Sequence, residues 1–242
     1  MTMARTIDSA NELRAALLRG ESLAGVRVVG VDLTGASLAG ADLRGVQLHD
    51  VTLTGANLSG ARLEGALVQL CDLTDARLLR ADLTDSRWLM TCLAGADLEA
   101  ATLLRTMLPE AQLQRAKLHS AKLTSVVLSR AHANESSWHG AELEGAGCSE
   151  AALEGASFAG CRLLRCAMSQ IRGRGSHWND CDIQESSFDD ADLRGANMRD
   201  TTLSLCNLGR ADLRGAKLPK QLEKTVLTGV KLSDLAAAPT DE

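Results

Sequence analysis

Residues 41–65 read ADLRG VQLHD VTLTG ANLSG ARLEG, five consecutive blocks of five residues that share one pattern. The same division holds without an insertion from Glu21 to Lys220, which gives forty blocks. The third, central residue of a block is Leu in most of them, and the first is Ala or another small or β-branched residue. The second residue is often Asp, Asn, Arg or Ser, and the fifth is often Gly. A repeat this regular decides the fold of the chain.

A period of five matches neither the 3.6 residues of an α-helical turn nor the two-residue alternation of a β-strand. The chain must therefore turn in every block. We expect the first and third residues of each block to point inward and the other three outward. Coils stacked about 4.8 Å apart can then satisfy one another's backbone hydrogen bonds. The pattern predicts a square coil around a shaft filled by Leu and Ala.

The blocks resemble the A(D/N)LXX consensus of bacterial pentapeptide-repeat proteins over about five-sixths of the chain. This resemblance implies an all-β fold, a right-handed quadrilateral parallel β-helix with four blocks in each coil. Forty blocks then make about ten coils, a rod on the order of 50 Å long.

Both ends of such a rod need caps, because the apolar shaft would otherwise be open. We divide the chain into an N-terminal cap helix (1–20), the β-helix (21–220) and a C-terminal cap and tail (221–242). Ser9 and Glu12 form a capping box ahead of a short helix, and Gly20 follows its end. Beyond Pro219 the five-residue spacing resumes one register out and predicts a partial coil or cap, at Leu222, Leu227 and Leu232. From Leu235 onward we expect a frayed tail.

Composition excludes several classes of protein. A net charge of −5 argues against a basic, nucleic-acid-binding surface. No apolar run reaches the roughly 18 residues of a membrane span, and the first eleven residues lack the apolar core of a signal peptide. Seven cysteines without metal-type spacing are typical of a reducing compartment, so we expect a cytoplasmic protein without membrane contact.

Aromatic residues, glycine and cysteine break the Leu pattern inside the shaft. Five aromatic residues take central positions and either replace Leu as core rungs or turn outward, and we favour the core: Trp88, Trp138, Phe158, Trp178 and Phe188. Gly173 is the one central glycine, which predicts a local gap or bulge between two arginines at a solvated corner. Cys161 and Cys181 stack inward, as do Cys166 and Cys206, and we expect free thiols rather than disulfides.

No catalytic motif or phosphate loop is recognisable, and a filled shaft offers no pocket. Residues twenty apart stack on one face, which aligns Glu99, His119 and His139 on the outside, a set that could bind zinc. An exposed ladder lacks the enclosing groups that fix ligand geometry, so surface histidines are the better interpretation. We expect no enzyme activity, no catalytic residue, no metal and no cofactor.

Four blocks per coil place a group of large apolar residues outward on one face, within four successive coils. These residues, here named the apolar patch, are Leu67, Leu70, Leu89, Met90, Met107, Pro109 and Val127. Contiguous exposed apolar surface tends to mark a contact site, although a terminal cap could also cover these residues. The first hypothesis is therefore a non-catalytic scaffold or adaptor that binds another protein, with homodimerisation through the patch as a further option.

The resemblance also implies a second hypothesis, because some pentapeptide-repeat proteins mimic duplex DNA and protect DNA gyrase or topoisomerase from inhibitors such as quinolones. Four aspartates share an outer ladder, Asp32, Asp72, Asp192 and Asp212, but Arg172 interrupts it. A DNA mimic should carry the dense charge of a phosphate backbone, whereas acidic and basic residues alternate here.

A further resemblance is short and lies at residues 12–25, ELRAALLRGESLAG. This segment is similar to the start of pentapeptide-repeat proteins associated with type VI secretion. It favours the adaptor hypothesis, with a secretion component as the partner. We expect no direct nucleic-acid binding.

Overall fold

The computed structural model describes residues 5–219 and 221–232. In these residues the chain is an all-β parallel solenoid of about eleven turns, with one short helix near its N-terminal end. The fold predicted from the five-residue repeat is confirmed. Among the described residues, no helix is both long and apolar enough to cross a lipid bilayer.

Short parallel strands form two sheets, one in each half of the rod. The first sheet contains β1 (Thr6–Ile7), β2 (Arg27–Val29), β3 (Gln47–His49), β4 (Leu67–Gln69) and β5 (Arg87–Leu89) in sequence order. The second contains β6 (Lys122–Thr124), β7 (Glu142–Glu144), β8 (Arg162–Leu164), β9 (Asp182–Gln184), β10 (Thr202–Ser204) and β11 (Gln221–Glu223). Single parallel bridges continue the same register through the other blocks.

The register makes each coil twenty residues long. Leu48 pairs with Val68 and Val68 with Trp88, and isolated bridges such as Asp32 with Thr52 have the same spacing. Four blocks therefore form four faces, which we number by their buried central residues. Face 1 contains Leu43 and Leu63, face 2 contains Leu48 and Val68, face 3 contains Leu53 and Leu73, and face 4 contains Leu58 and Leu78.

The turn that closes each block explains the frequent glycine at its fifth residue. From Gly25 to Gly215, every fifth residue has a positive φ, for example 69° at Gly25 and 55° at Leu70. Glycine adopts this left-handed conformation freely, whereas a residue with a Cβ atom pays a steric cost there. The repeat is therefore maintained by backbone geometry at the corners as well as by Leu in the shaft.

The N-terminal end is closed by a helix and by one strand that the sequence did not indicate. Helix α1 (Ala10–Leu18) begins after Ser9, whose Oγ accepts a hydrogen bond from the backbone N–H of Glu12 at 3.4 Å. Leu13 of α1 is buried against the shaft. Strand β1 pairs with β2, with Ile7 opposite Val28, and so adds backbone pairing beyond the first block.

At the other end the chain adds an incomplete coil with a shifted register. Thr202 of β10 pairs with Gln221 of β11, a spacing of nineteen rather than twenty residues, and Asp212 bridges Lys231 in the same way. This shift accommodates the one-residue change of frame near Pro219. The tail expected from Leu235 onward lies outside the described residues.

The aromatic residues are core rungs, since each is at most 1% exposed. Trp138, Phe158 and Trp178 lie one above the other on face 4, with ring centroids 5.1 Å and 4.1 Å apart. Phe188 of face 2 meets Trp178 edge-on at 5.5 Å. This continuous aromatic column replaces the Leu ladder in that part of the shaft.

Each tryptophan is paired with a serine two residues earlier. The indole Nε1–H of Trp138 donates to Ser136 Oγ at 2.7 Å, and Ser136 donates to the Ala133 carbonyl at 2.5 Å. The same two bonds are present at Ser86 and Trp88 and at Ser176 and Trp178. A buried indole needs an acceptor, and the small hydroxyl at the first position of the block supplies it.

Replacing Ser136 by alanine is expected to lower the free energy of unfolding by about 1–3 kcal/mol, because the buried indole N–H of Trp138 loses its acceptor. Chemical denaturation of the full chain measures this change. The control is Ser129→Ala at an outward position, which should stay within about 0.5 kcal/mol of the wild type. Equal stability of the two variants would contradict the expected role of Ser136.

The gap or bulge expected at Gly173 is absent, so that prediction is wrong. Arg172 bridges Asp192 in the regular register, and the Gly173 N–H donates to the Asp192 carbonyl at 2.8 Å. A Cβ atom at position 173 would lie 3.1 Å from Leu193 Cδ2 and 3.2 Å from Ser176 Oγ. A side chain at position 173 would therefore crowd Leu193 of the next coil and Ser176 of the neighbouring block.

The cysteines are all free, and six of the seven are buried. The Cys161 thiol donates to the Trp138 carbonyl at 2.9 Å, and the Cys181 thiol donates to the Phe158 carbonyl at the same distance. Burial raises the pKa of Cys161 to about 12. These side chains therefore act as small core residues with a weak hydrogen bond rather than as reactive groups.

One thiol is expected to react with Ellman's reagent in the native protein, and all seven after unfolding without reductant. The fast thiol is that of Cys92, which is only partly buried on the outside of face 3. Replacing Cys92 by serine should remove the fast phase and leave six thiols in the unfolded chain. Two thiols missing after unfolding would indicate a disulfide and contradict this expectation.

Candidate binding surface

All seven residues of the apolar patch lie on face 2 or on the corner that ends it, as the sequence predicted. Leu67, Met107 and Val127 occupy one outward column with Arg87, since Leu67 pairs with Arg87, Arg87 bridges Met107 and Met107 bridges Val127. Leu89 and Pro109 are fourth residues of their blocks, and Leu70 and Met90 are fifth residues at the corner. The patch thus extends along four successive coils.

Exposure within the patch is uneven. Leu70 is 45% exposed, Met90 61% and Met107 37%, whereas the other four residues are half-buried. The three exposed side chains form the part of the patch that a partner could cover. The half-buried residues supply an apolar base around them.

Arg87 lies inside the patch, between Leu67 and Met107, and its side chain is exposed. Sequence reasoning did not include it, because the patch was defined by apolar residues alone. The alignment of positions twenty apart would have found it. The surface is therefore apolar with one central cation, and a partner must accommodate that charge.

A second exposed apolar surface lies at the C-terminal end of the described chain. Four leucines of the last block and the incomplete coil lie at positions that point into the shaft elsewhere in the rod. They are about half exposed and border a cavity of about 170 Å³: Leu218, Leu222, Leu227 and Leu232. These side chains are exposed because no further described coil stacks on them. Their exposure is a property of a solenoid end, unlike that of the mid-rod patch.

The histidine ladder of face 4 forms a hydrogen-bonded chain with serines. Ser137 Oγ lies 2.7 Å from His119 Nε2 and 3.0 Å from His139 Nδ1, and Ser157 Oγ lies 2.8 Å from His139 Nε2. Partial burial, followed by the charges of His119 and His177, lowers the pKa of His139. Among the described residues, no three His, Cys, Asp or Glu side chains converge to hold a metal ion.

A family model described as pentapeptide repeats, with eight copies, matches residues 16–55, 53–87, 91–130, 121–160, 174–204 and 181–219. The chain belongs to the pentapeptide-repeat family. No curated protein matches this pentapeptide-repeat protein significantly in sequence.

Solved structures of the family are similar to the chain over most of its length. Full-length QnrB1, a plasmid-mediated fluoroquinolone resistance protein, is 16% identical with a TM-score of 0.44, covering 86% of this chain and 94% of its own. HetL, involved in heterocyst differentiation regulation in Nostoc sp. strain PCC 7120, is 26% identical with a TM-score of 0.39, covering 93% and 95%. Rfr23 from Cyanothece 51142 is 20% identical with a TM-score of 0.32, covering 53% and 88%.

Two of the four aspartates in the acidic ladder of this pentapeptide-repeat protein are paired with arginine. Asp192 pairs with Arg194 at 2.5 Å, and Asp212 pairs with Arg214 at 2.6 Å. The hydrogen bond from Arg214 holds the pKa of Asp212 at about 2, so its carboxylate stays ionised but paired. At Asp192 and Asp212 the interspersed acidic and basic residues of the sequence are therefore in direct contact.

Proposed function

We propose that this pentapeptide-repeat protein is a non-catalytic scaffold or adaptor that binds another protein through the apolar patch. The observation that carries the proposal is the exposure of Leu70, Met90 and Met107 on adjacent coils in the middle of the rod. These residues point outward because of their position in the repeat. Unlike the leucines at the C-terminal end of the described chain, they are not exposed for lack of a further coil. Contiguous apolar surface of this kind tends to mark an interaction site.

Two exposed residues of the patch lie at corners of the coil. Leu70 and Met90 have φ values of 55° and 51°, a conformation that favours glycine. A large apolar side chain at such a corner is disfavoured twice, by the backbone and by exposure to water. Burial against a partner would offset the second of these costs, at roughly 25 cal/mol for each Å² of apolar surface removed from water.

A different protein fits the patch better than a second copy of this chain. A twofold dimer through the patch would bring its surface against itself and bury two Arg87 side chains without an acidic residue of the patch to pair them. Burying an unpaired charge is costly. A heterologous partner can place a carboxylate or carbonyl oxygen against Arg87 while its apolar residues cover Met90 and Met107.

The test first captures a partner with the wild type. It then compares the affinity of that partner for the wild type and for a Leu89→Asp, Met107→Asp double variant. We expect the affinity for that partner to fall at least tenfold, because two charges would be buried in an apolar contact. Leu79→Asp is the matched control: Leu79 is also a half-buried fourth residue, but it lies on face 4. Far-UV circular dichroism and the melting temperature should be similar for all three proteins.

Retention of the partner by the double variant, at wild-type affinity, would contradict a contact role for the patch. Light scattering measures the oligomeric state of the same proteins and so tests the homodimer. A wild-type dimer that becomes a monomer in the double variant would show that the patch binds a second copy of the chain instead of a different protein. The identity of the captured protein tests the link to type VI secretion.

The DNA-mimic hypothesis has less support from the described surface, because Asp192 and Asp212 are paired with arginines. A duplex mimic must present unpaired negative charge at a density close to that of phosphates. A gyrase supercoiling assay with and without a quinolone separates the two functions. Restored supercoiling in the presence of the wild type would favour the mimic over the adaptor.

A further inference from the structure

A polar groove of about 600 Å³ lies at the corner between faces 2 and 3, next to the C-terminal side of the apolar patch. Its lining residues are Glu110, Gln112, Gln114, Arg130, His132, Glu150 and Arg172. Ala152 lies in the same outward column, between His132 and Arg172, and is only 3% exposed. One small side chain therefore separates two long ones, His132 and Arg172, which both line the groove.

The charges around the groove are paired, with one exception. Arg130 forms an ion pair with Glu110 at 2.7 Å, and Arg172 Nε lies 3.7 Å from Glu154 Oε1. Glu150 forms no ion pair with another described residue, and its side chain is exposed at the groove. The charge that remains available to a ligand is therefore negative.

A buried acceptor also lacks a partner in the groove. Gln114 Oε1 is inaccessible to solvent and accepts no hydrogen bond from the described residues. An unpaired buried acceptor costs about 1–3 kcal/mol. Because the Gln114 side chain lines the groove, a ligand donor would remove that cost once the side chain turns its Oε1 toward the groove. A free carboxylate and an unpaired acceptor together favour a cationic, donor-rich group, such as a guanidinium or an ammonium.

We infer that this groove binds the basic side chain of an arginine or lysine on the protein that covers the apolar patch, which rests on the function proposed above. Met90 and Glu150 are fifth residues on the same corner, three coils apart, or about 14 Å. An extended segment spans that distance with about four residues. The partner segment therefore carries an apolar residue and, about four residues away, a basic one.

The groove is tested on the full chain with Nα-acetylarginine amide as the probe, by isothermal titration or chemical-shift changes. Nα-acetylcitrulline amide has nearly the same shape without the charge and serves as the ligand control. We expect saturable binding of the arginine compound, roughly millimolar as suits one ionic contact, and none of the citrulline compound.

Glu150→Gln should weaken binding of the arginine compound at least fivefold, and Ala152→Gln should do the same by filling the groove. Glu185→Gln removes another exposed carboxylate that lies on a different corner and has no ion pair among the described residues, so it should bind like the wild type. The melting temperature of each variant verifies its fold. Equal binding of the citrulline compound, or wild-type binding by Glu150→Gln, would overturn the inference.

A peptide with leucine and arginine four residues apart separates this inference from the proposed function. We expect it to bind at least tenfold more tightly than the arginine amide, and the Leu89→Asp, Met107→Asp variant should lose that gain while still binding the amide. Binding of the amide without any gain from the peptide would support the groove and contradict the contact role of the patch. Absence of saturable amide binding to the wild type would overturn the groove itself.

Discussion

Replacing Trp178 by alanine is expected to lower the free energy of unfolding by about 3–5 kcal/mol, the range for deleting a large buried aromatic side chain. Trp178 is fully buried, is stacked 4.1 Å from Phe158 and meets Phe188 edge-on. The substitution leaves a cavity in the aromatic column and removes the donor that Ser176 accepts from. Chemical denaturation followed by far-UV circular dichroism measures the loss.

The matched control for this prediction is Arg174→Ala, an exposed position of the preceding block in the same coil. It should change the free energy of unfolding by less than about 0.5 kcal/mol. A loss of less than about 1 kcal/mol in Trp178→Ala would contradict the aromatic column as a main source of stability there.

Introducing the consensus residue at the one central glycine is expected to be destabilising. Gly173→Leu should lower the free energy of unfolding by about 1–3 kcal/mol or more, because its Cβ atom alone would crowd Leu193 and Ser176. The control is Met198→Leu, which places the same consensus residue at a buried central position that already holds a side chain of similar size. That variant should lose less than about 1.5 kcal/mol.

A double variant tests the physical reason for the glycine. If Gly173 is required because Leu193 fills the space beside it, Gly173→Leu should be less harmful in a Leu193→Ala background, with a coupling energy of at least about 1 kcal/mol. Strictly additive losses would show that the two positions are independent. Thermal and chemical denaturation of the four proteins complete the cycle.

Much of the fold could be predicted from the sequence because backbone pairing between coils depends on spacing alone. Uninterrupted five-residue blocks place Leu48, Val68 and Trp88 in one column, and the structure pairs them in that register. The same spacing predicted the outward positions of Leu70 and Met90, and the capping box of Ser9 and Glu12 predicted the start of the N-terminal helix. Strand β1 was missed, since two residues before the repeat carry no periodic signal.

The candidate site was only partly accessible to sequence reasoning. The apolar patch follows from register, and Arg87 could have been found by the same alignment. The groove could not, because it depends on which arginine pairs with which carboxylate: Arg130 takes Glu110, Arg172 approaches Glu154, and Glu150 is left without an ion pair. Which ion pairs form depends on the side-chain conformations on either side of a corner. The sequence spacing does not give the distances between those side chains.

By itself, the sequence determined the inward and outward positions, since these follow from a repeat of five and from backbone hydrogen bonding. With the four blocks per coil that the family resemblance implies, it also determined the apolar character of one face. Only the tertiary structure decided that Gly173 makes room for Leu193 and Ser176, that each tryptophan shares a serine hydroxyl with a carbonyl, and that buried cysteines such as Cys161 donate to carbonyls of the preceding coil. These features depend on close packing, in which the volume left by one side chain is filled by another that is remote in the repeat pattern.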